Sequence, residues 1–143
     1  WGCVIEPQAK TATEYFQELV ETGVLKPRKI SGVHVSFHDP CRLARDLGET
    51  VPARSLLEAM GLSVREMFLH GEMTKCCGGD VLKSHSPNLA RLTAQGRWQD
   101  FSSTGADMLV TACPGCTDVL GDAVPQGKRQ SDLFALLVQS CEA

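Results

Sequence analysis

The stretch MLVTACPGC, Met108 to Cys116, reads as a strand running directly into a helix. Met108 to Thr111 is a short apolar run suited to a buried strand. Pro114 suits the first turn of a helix, where its missing N–H is no loss, and Gly121 ends that helix. Cys113 and Cys116 therefore sit at a strand-to-helix turn. Their C-x-x-C spacing lets both sulfurs face one centre, and the helix N-terminal amides favour thiolate over thiol there.

Outward from this unit the same alternation repeats. Ile30 to Phe37 sets Val33, Val35 and Phe37 against polar neighbours, a strand pattern that ends at HDPC, His38 to Cys41. Thr50 and Pro52 open a helix with Ala53, Leu56, Leu57 and Met60 inward, and Gly61 closes it. Leu62 to Leu69 reads as a second strand. Ser86-Pro87 starts a helix whose apolar face is assigned to Leu89, Leu92 and Trp98 or Phe101, and Gly105 closes it. Upstream, Thr11 and Glu14 form a capping box ahead of Tyr15, Phe16, Leu19 and Val20 on one face, and Gly23 and Pro27 stop that helix. Residues 122 to 130 read as a loop, and Leu133, Phe134, Leu136, Leu137 and Val138 as a last helix capped by Ser131 or Asp132.

Strands alternating with helices imply βαβ units, so the expected class is α/β: a Rossmann-like parallel sheet covered by helices on both faces. The 143 residues suit one domain, with a lead-in helix in 1–27, a core in 28–121 and a terminal helix in 131–143. A net charge of −3 with interspersed signs gives no reason to expect a nucleic-acid partner. No apolar run approaches the roughly 20 residues of a membrane span. The chain starts at Trp1 without a signal-peptide pattern, which reads as the C-terminal piece of a larger protein. Seven cysteines, an odd number, in a patterned domain point away from a disulfide framework and toward metal or redox work in a reducing compartment. The expected location is cytoplasmic, or peripheral to a membrane complex.

In open parallel sheets, sites gather outside the carboxyl ends of the strands. Cys41 follows the first strand, Cys76 and Cys77 the second, and Cys113 and Cys116 the third. Neighbouring cysteines in an extended chain point to opposite faces, so Cys76 and Cys77 need a tight turn to share a site. Gly78 and Gly79 permit one. A zinc ion takes four ligands and leaves one of five thiolates idle, whereas an iron–sulfur centre has several metal atoms to occupy. Zinc held for structure or docking, and thioredoxin-like exchange by Cys113 and Cys116 alone, remain the competing readings.

The combined pattern resembles the cysteine-rich, or CCG, domain of heterodisulfide reductase and of the iron–sulfur subunits of glycolate oxidase and anaerobic glycerol-3-phosphate dehydrogenase. Its signature is a cysteine, Cys-Cys-Gly and Cys-x-x-Cys at long, similar gaps. Here 34 residues separate Cys41 from Cys76 and 35 separate Cys77 from Cys113. The text at HDPC, at CCGG (Cys76 to Gly79) and at Thr104 to Cys116 matches too, and the likeness covers roughly residues 11 to 140. The resemblance implies that Cys41, Cys76, Cys77, Cys113 and Cys116 bind a noncubane [4Fe-4S] cluster, at which a disulfide is reduced in two one-electron steps. It also implies a ferredoxin-like or flavin-containing electron donor, and a disulfide substrate or a quinone-linked membrane partner. Some modules of this kind carry zinc. A cluster this exposed is lost in air, so the protein is expected metal-free when prepared aerobically. Asp80 replaces a glycine of the pattern, and Lys75, Lys83 and Arg42 are expected to offset its charge.

Other polar residues carry quieter expectations. His38 is a candidate proton donor or hydrogen-bond partner of a ligand sulfur, against the alternative of ordering the Asp39-Pro40 turn. Asp39 is read as a turn or capping residue, and His34, His70 and His85 as structural. Cys3 and Cys141 are read as incidental thiols. Met60, Met67, Met73 and Met108 are assigned to core or lining positions.

Overall fold

The computed structural model describes residues 9–79 and 81–141. Cys3 and Asp80 lie outside them. Helix α1 (Ala12–Glu21) begins with the expected capping box: the Thr11 side chain accepts from the Glu14 N–H, and the Glu14 carboxylate accepts from the Thr11 N–H. Strand β1 (His34–His38) then enters the sheet. A π-helical turn (Arg42–Asp46) leads to α2 (Pro52–Ala59) and the two-residue strand β2 (Ser63–Val64). A 3-10 turn (Gly71–Met73) and the short α3 (Val81–His85) precede α4 (Pro87–Ser102), β3 (Met108–Thr111) and α5 (Pro114–Asp122). Strand β4 (Gln130–Asp132) and α6 (Leu133–Cys141) complete the described chain.

The four strands form one all-parallel sheet in the order β2-β1-β3-β4. Side chains alternate across it, so each face has its own core. Val35 and Phe37 of β1, with Met108 and Val110 of β3, pack against Leu56 and Leu57 of α2, its cap residue Met60, and Leu133, Leu136 and Leu137 of α6. On the other face Leu109 packs with Ala90, Ala94, Trp98 and Phe101 of α4 and Val119 and Leu120 of α5. The Trp98 indole N–H donates to the Leu120 carbonyl and ties α4 to α5. The α/β, parallel, doubly covered architecture is thus as the alternation implied.

Several local expectations are corrected. The strand assigned to Leu62–Leu69 pairs only at Ser63 and Val64, because beyond Arg65 the chain leaves β1 to carry Met67 under α4. The loop assigned to 122–130 ends in a strand, since Gln130 to Asp132 pair with β3. Asp132 is the α6 cap: its Oδ1 accepts from the N–H groups of Phe134 and Ala135. On α4 the inward stripe is Ala90, Ala94, Arg97, Trp98 and Phe101, while Leu89 and Leu92 are half exposed. Tyr15 and Met73 also face outward; Met60, Met67 and Met108 are buried.

Candidate metal centre

The carboxyl ends of β1 and β3 lie side by side in register, His38 opposite Thr111, so the turns that follow them emerge together. Cys41 follows the first turn. Cys113 is the residue before α5 and Cys116 lies in its first turn. The Cys76-Cys77 pair does not follow β2 directly, since the 3-10 turn intervenes, and it reaches the same edge through the loop that Gly78 and Gly79 close. Gly78 has φ +89°, and a Cβ there would lie 2.7 Å from the Ala90 carbonyl oxygen. A Cβ on Gly79 would lie 2.8 Å from the Gly115 carbonyl oxygen. The two glycines let the cysteine pair press against both α4 and the C-x-x-C turn.

All five sulfur-bearing residues line one cavity of about 220 Å³, together with Pro40, Arg42, Gly79, Val81 and Gly115. Wider clefts of about 470 and 660 Å³ lie elsewhere, against Trp98 and Arg129, and neither is lined by a cysteine. Within the cysteine cavity the thiols are graded. Cys77 and Cys116 are buried, Cys41 and Cys113 half-buried, and Cys76 exposed. The sulfurs of Cys77 and Cys116 lie 3.1 Å apart, within hydrogen-bond distance. Hydrogen bonds to Cys113 and Cys77, together with burial, push the Cys116 pKa up. Cys77 is correspondingly lowered, by the Cys116 hydrogen bond against burial, with His38 adding to the effect. Cys113 is lowered to about 6 by the Cys116 hydrogen bond, against burial and with help from the N–H groups of Cys116 and Gly115. Cys76, although exposed as a residue, is raised, chiefly by partial desolvation of its sulfur.

These differences predict an order of reactivity in metal-free protein. Exposure alone puts Cys76 first. At pH 7 iodoacetamide is instead expected to modify Cys113 ahead of Cys76, because only the thiolate reacts and the thiolate fraction of Cys113 rises as pH passes upward through about 6. Mass-spectrometric mapping of alkylation rates from about pH 5 to about pH 9, a range that reaches past the ordinary thiol pKa, reads this directly. Preferential labelling of Cys76 at pH 7 would contradict it.

The donor set matches an iron–sulfur centre. Soft thiolates are what such clusters bind, and a glycine-walled cavity leaves sulfur-lined space at its middle. A tetrahedral zinc ion would use only four of the five sulfurs.

Sequence reasoning undervalued what lies beneath the thiols. His38 is buried at 1 % exposure, its ring set between Arg97 and the thiols. Its Nδ1 accepts from Arg97 Nε at 3.1 Å, and a ring nitrogen lies within 4.8 Å of the Cys77 and Cys116 sulfurs. Arg97 itself is buried at 1 %, and desolvation lowers its pKa. Its signal was its position on the α4 stripe, three residues after Ala94 and four before Phe101. Asp39, read as a turn or capping residue, instead ties together segments distant in sequence. Its carboxylate accepts both Arg54 Nη groups at 2.7 and 3.0 Å and the Gly71 N–H at 2.8 Å. Of the cations expected to balance the pocket, Lys75 pairs with Asp100 and Lys83 with Asp118 and Asp122, so both face other acids. Arg42 lines the cavity but also pairs with Asp46 at 3.5 Å. His70 is exposed, its Nδ1 against the Met67 carbonyl, His85 is exposed, and His34 donates its backbone N–H to Asp107. Cys141 ends α6, away from the cavity lining.

A family model described as a CCG cysteine-rich domain matches residues 35–121. Among curated proteins the chain is 33 % identical over 133 residues to a subunit of the dihydromethanophenazine:CoB–CoM heterodisulfide reductase of Methanosarcina acetivorans, covering 92 % of this chain and 32 % of that protein. It is 34 % identical over 113 residues to a probable membrane-anchored ferredoxin of Chromohalobacter salexigens, covering 78 % of this chain and 17 % of the relative. It is 32 % identical over 120 residues to the EtfAB:quinone oxidoreductase of Syntrophomonas wolfei, covering 78 % and 17 %. The chain thus spans about a third or less of the length of these relatives. No helix among the described residues is long and apolar enough to cross a membrane.

Proposed function

Because this chain belongs to the CCG cysteine-rich domain family, we propose that it is an iron–sulfur redox module of the heterodisulfide-reductase type, passing electrons to a disulfide or a similar acceptor. The observation that carries this reading is the convergence of five thiols on one cavity of about 220 Å³. Cys41, Cys76, Cys77, Cys113 and Cys116 are the proposed ligands of a noncubane [4Fe-4S] cluster. When bound, such a cluster supplies electrons singly to a disulfide that needs two, together with two protons, to become two thiols.

The chain's own residues divide the remaining work. Cys77 and Cys116 form the buried floor, and Cys76 and Cys41 lie toward the open side, where an acceptor approaches. Pro40, Gly79 and Val81 wall the cavity with nonpolar surface, and Arg42 supplies positive charge at its rim. A ferredoxin-like or flavin-containing donor is proposed to feed the site, with a quinone-linked membrane assembly as a further partner. The names of the relatives, a membrane-anchored ferredoxin and a quinone oxidoreductase, support that direction.

Anaerobically isolated protein is expected to contain iron and acid-labile sulfide and to give an electron paramagnetic resonance signal on oxidation. Zinc with no iron and no paramagnetic state would overturn the reading in favour of a structural site. A second reading has one observation in its favour: a lowered Cys113 beside a raised Cys116 is the asymmetry of a thiol–disulfide enzyme. It predicts that exchange activity survives replacement of Cys41, Cys76 and Cys77, whereas the iron–sulfur reading predicts loss of the centre.

A further inference from the structure

We infer that Arg97 is a positioning residue that turns the Nε2–H of His38 toward the cysteine cluster and thereby excludes His38 from the metal's ligand set. A guanidinium has N–H donors and no acceptor. The 3.1 Å contact from Arg97 Nε to His38 Nδ1 therefore requires a lone pair on Nδ1. A neutral imidazole with a lone pair on Nδ1 carries its proton on Nε2. A protonated ring would set N–H against N–H at this contact and add a second buried cation beside the first.

Nε2 is buried and has no hydrogen-bond partner among the described residues. A ring nitrogen lies within 4.8 Å of the Cys77 and Cys116 sulfurs, and with Nδ1 turned to Arg97, Nε2 is the nitrogen free to face them. A histidine that ligates a metal through Nε2 needs its proton on Nδ1, usually donated to a carboxylate or carbonyl. Here that position is taken by a donor, so the ring presents N–H, and not a lone pair, to the sulfurs.

Arg97 is held against swinging away. Its Nη1 donates to the Phe68 carbonyl at 3.1 Å and to Asp100 Oδ2 at 3.0 Å, and Asp100 is held from outside by Lys75 at 2.8 Å. The strand register explains why His38 meets this helix. Ser36 and His38 project from the face of β1 opposite to Val35 and Phe37, toward α4. An N–H directed at ligand sulfurs withdraws electron density from them, which makes a bound cluster easier to reduce. That consequence rests on the iron–sulfur reading, whereas the tautomer does not.

The test is a long-range proton–nitrogen correlation spectrum of anaerobically prepared protein labelled with 15N-histidine, in which His38→Asn identifies the His38 signals among the four histidines. The expected result is an unprotonated Nδ1 and a protonated Nε2, with the same pattern in metal-free and loaded protein. A protonated Nδ1, or loss of the Nε2 proton on loading, overturns the inference. Arg97→Leu is then expected to mix the two tautomers and to lower the midpoint potential of the loaded protein; an unchanged tautomer in this variant also overturns it. Should that variant fail to fold, the wild-type spectrum alone decides. Zinc in place of iron with the expected tautomer intact would sink the proposed function and support this inference.

Discussion

Asp39→Ala is expected to destabilise the fold by about 3–5 kcal/mol, the range for removing one partner of a buried ion pair. Asp39 is buried at 1 % exposure, and its side chain is the node of three connections. Two run to the Arg54 guanidinium on α2, and one to the Gly71 N–H in the turn that leads into the cysteine pair. Its carbonyl also accepts from Thr74 Oγ1 at 3.2 Å, two residues before Cys76. Removing the carboxylate leaves Gly71 N–H without its acceptor and Arg54 held only by Glu66 and the Thr50 carbonyl, over the Phe37 ring. A guanidinium does not deprotonate in proteins, so Arg54 stays charged in the variant and cannot relax by losing a proton.

Because native domains are stable by only about 5–15 kcal/mol, this change takes a large share of the total. It should lower the melting temperature by on the order of 10–20 °C. Asp39→Asn keeps one acceptor and the side-chain volume, so its effect is expected to be about half as large, within the range for hydrogen bonds to charged groups. Thermal and urea unfolding of the two variants check the order. An Asp39→Ala protein within about 0.5 kcal/mol of wild type, the scatter of neutral surface changes, would refute the anchoring role.

What the sequence made legible follows from which signals are local. The β1 alternation of Val33, Val35 and Phe37 was readable because a period of two belongs to the chain itself. What it could not say is that the polar side, Ser36 and His38, is also buried, since that depends on α4 covering it. The α4 face was misassigned for a related reason. Leu89 and Leu92 are the most apolar residues of its first turns, but the small Ala90 and Ala94 are the ones turned inward, with the Gly78 backbone close against Ala90. Once those two define the stripe, Arg97 falls on it, and a charged residue on a core stripe signals a buried partner. Strand β4 escaped notice because Gln130, Ser131 and Asp132 have little strand preference of their own. They are strand by virtue of pairing with β3.

The candidate site was more legible than the fold's edges, because cysteines beside turns at strand ends are conspicuous and the α/β rule gives those ends a common edge. All five line one cavity, although Cys76 and Cys77 reach it through a 3-10 turn and not directly from β2. Their chemical grading was not legible. That Cys113 is lowered while Cys116 and Cys76 are raised depends on distances and burial that spacing does not encode.

The two glycines of the CCGG turn should separate fold from centre when each is replaced by alanine. Gly78 has φ +89°, and a Cβ there meets the Ala90 carbonyl oxygen at 2.7 Å and Ala90 Cα at 3.0 Å. Left-handed strain of about 1–2 kcal/mol adds to overpacking against rigid helical backbone of about 1–3 kcal/mol. Gly78→Ala is therefore expected to cost about 2–5 kcal/mol in unfolding experiments by the same two effects, and to loosen α4 along with the cysteine pair. Gly79 lacks a positive φ, so alanine there suffers no comparable backbone strain. Its Cβ would instead meet the Gly115 carbonyl at 2.8 Å to oxygen and 3.2 Å to carbon. Since the obstacle is the C-x-x-C turn itself, the relief is separation of the two cysteine turns, with Cys77 drawn away from Cys116. Gly79→Ala should accordingly keep its helical circular dichroism and most of its thermal stability, yet lose the greater part of its iron. The opposite pattern, full iron in Gly79→Ala or full stability in Gly78→Ala, would mean that close approach of the two turns is not what assembles the five thiols.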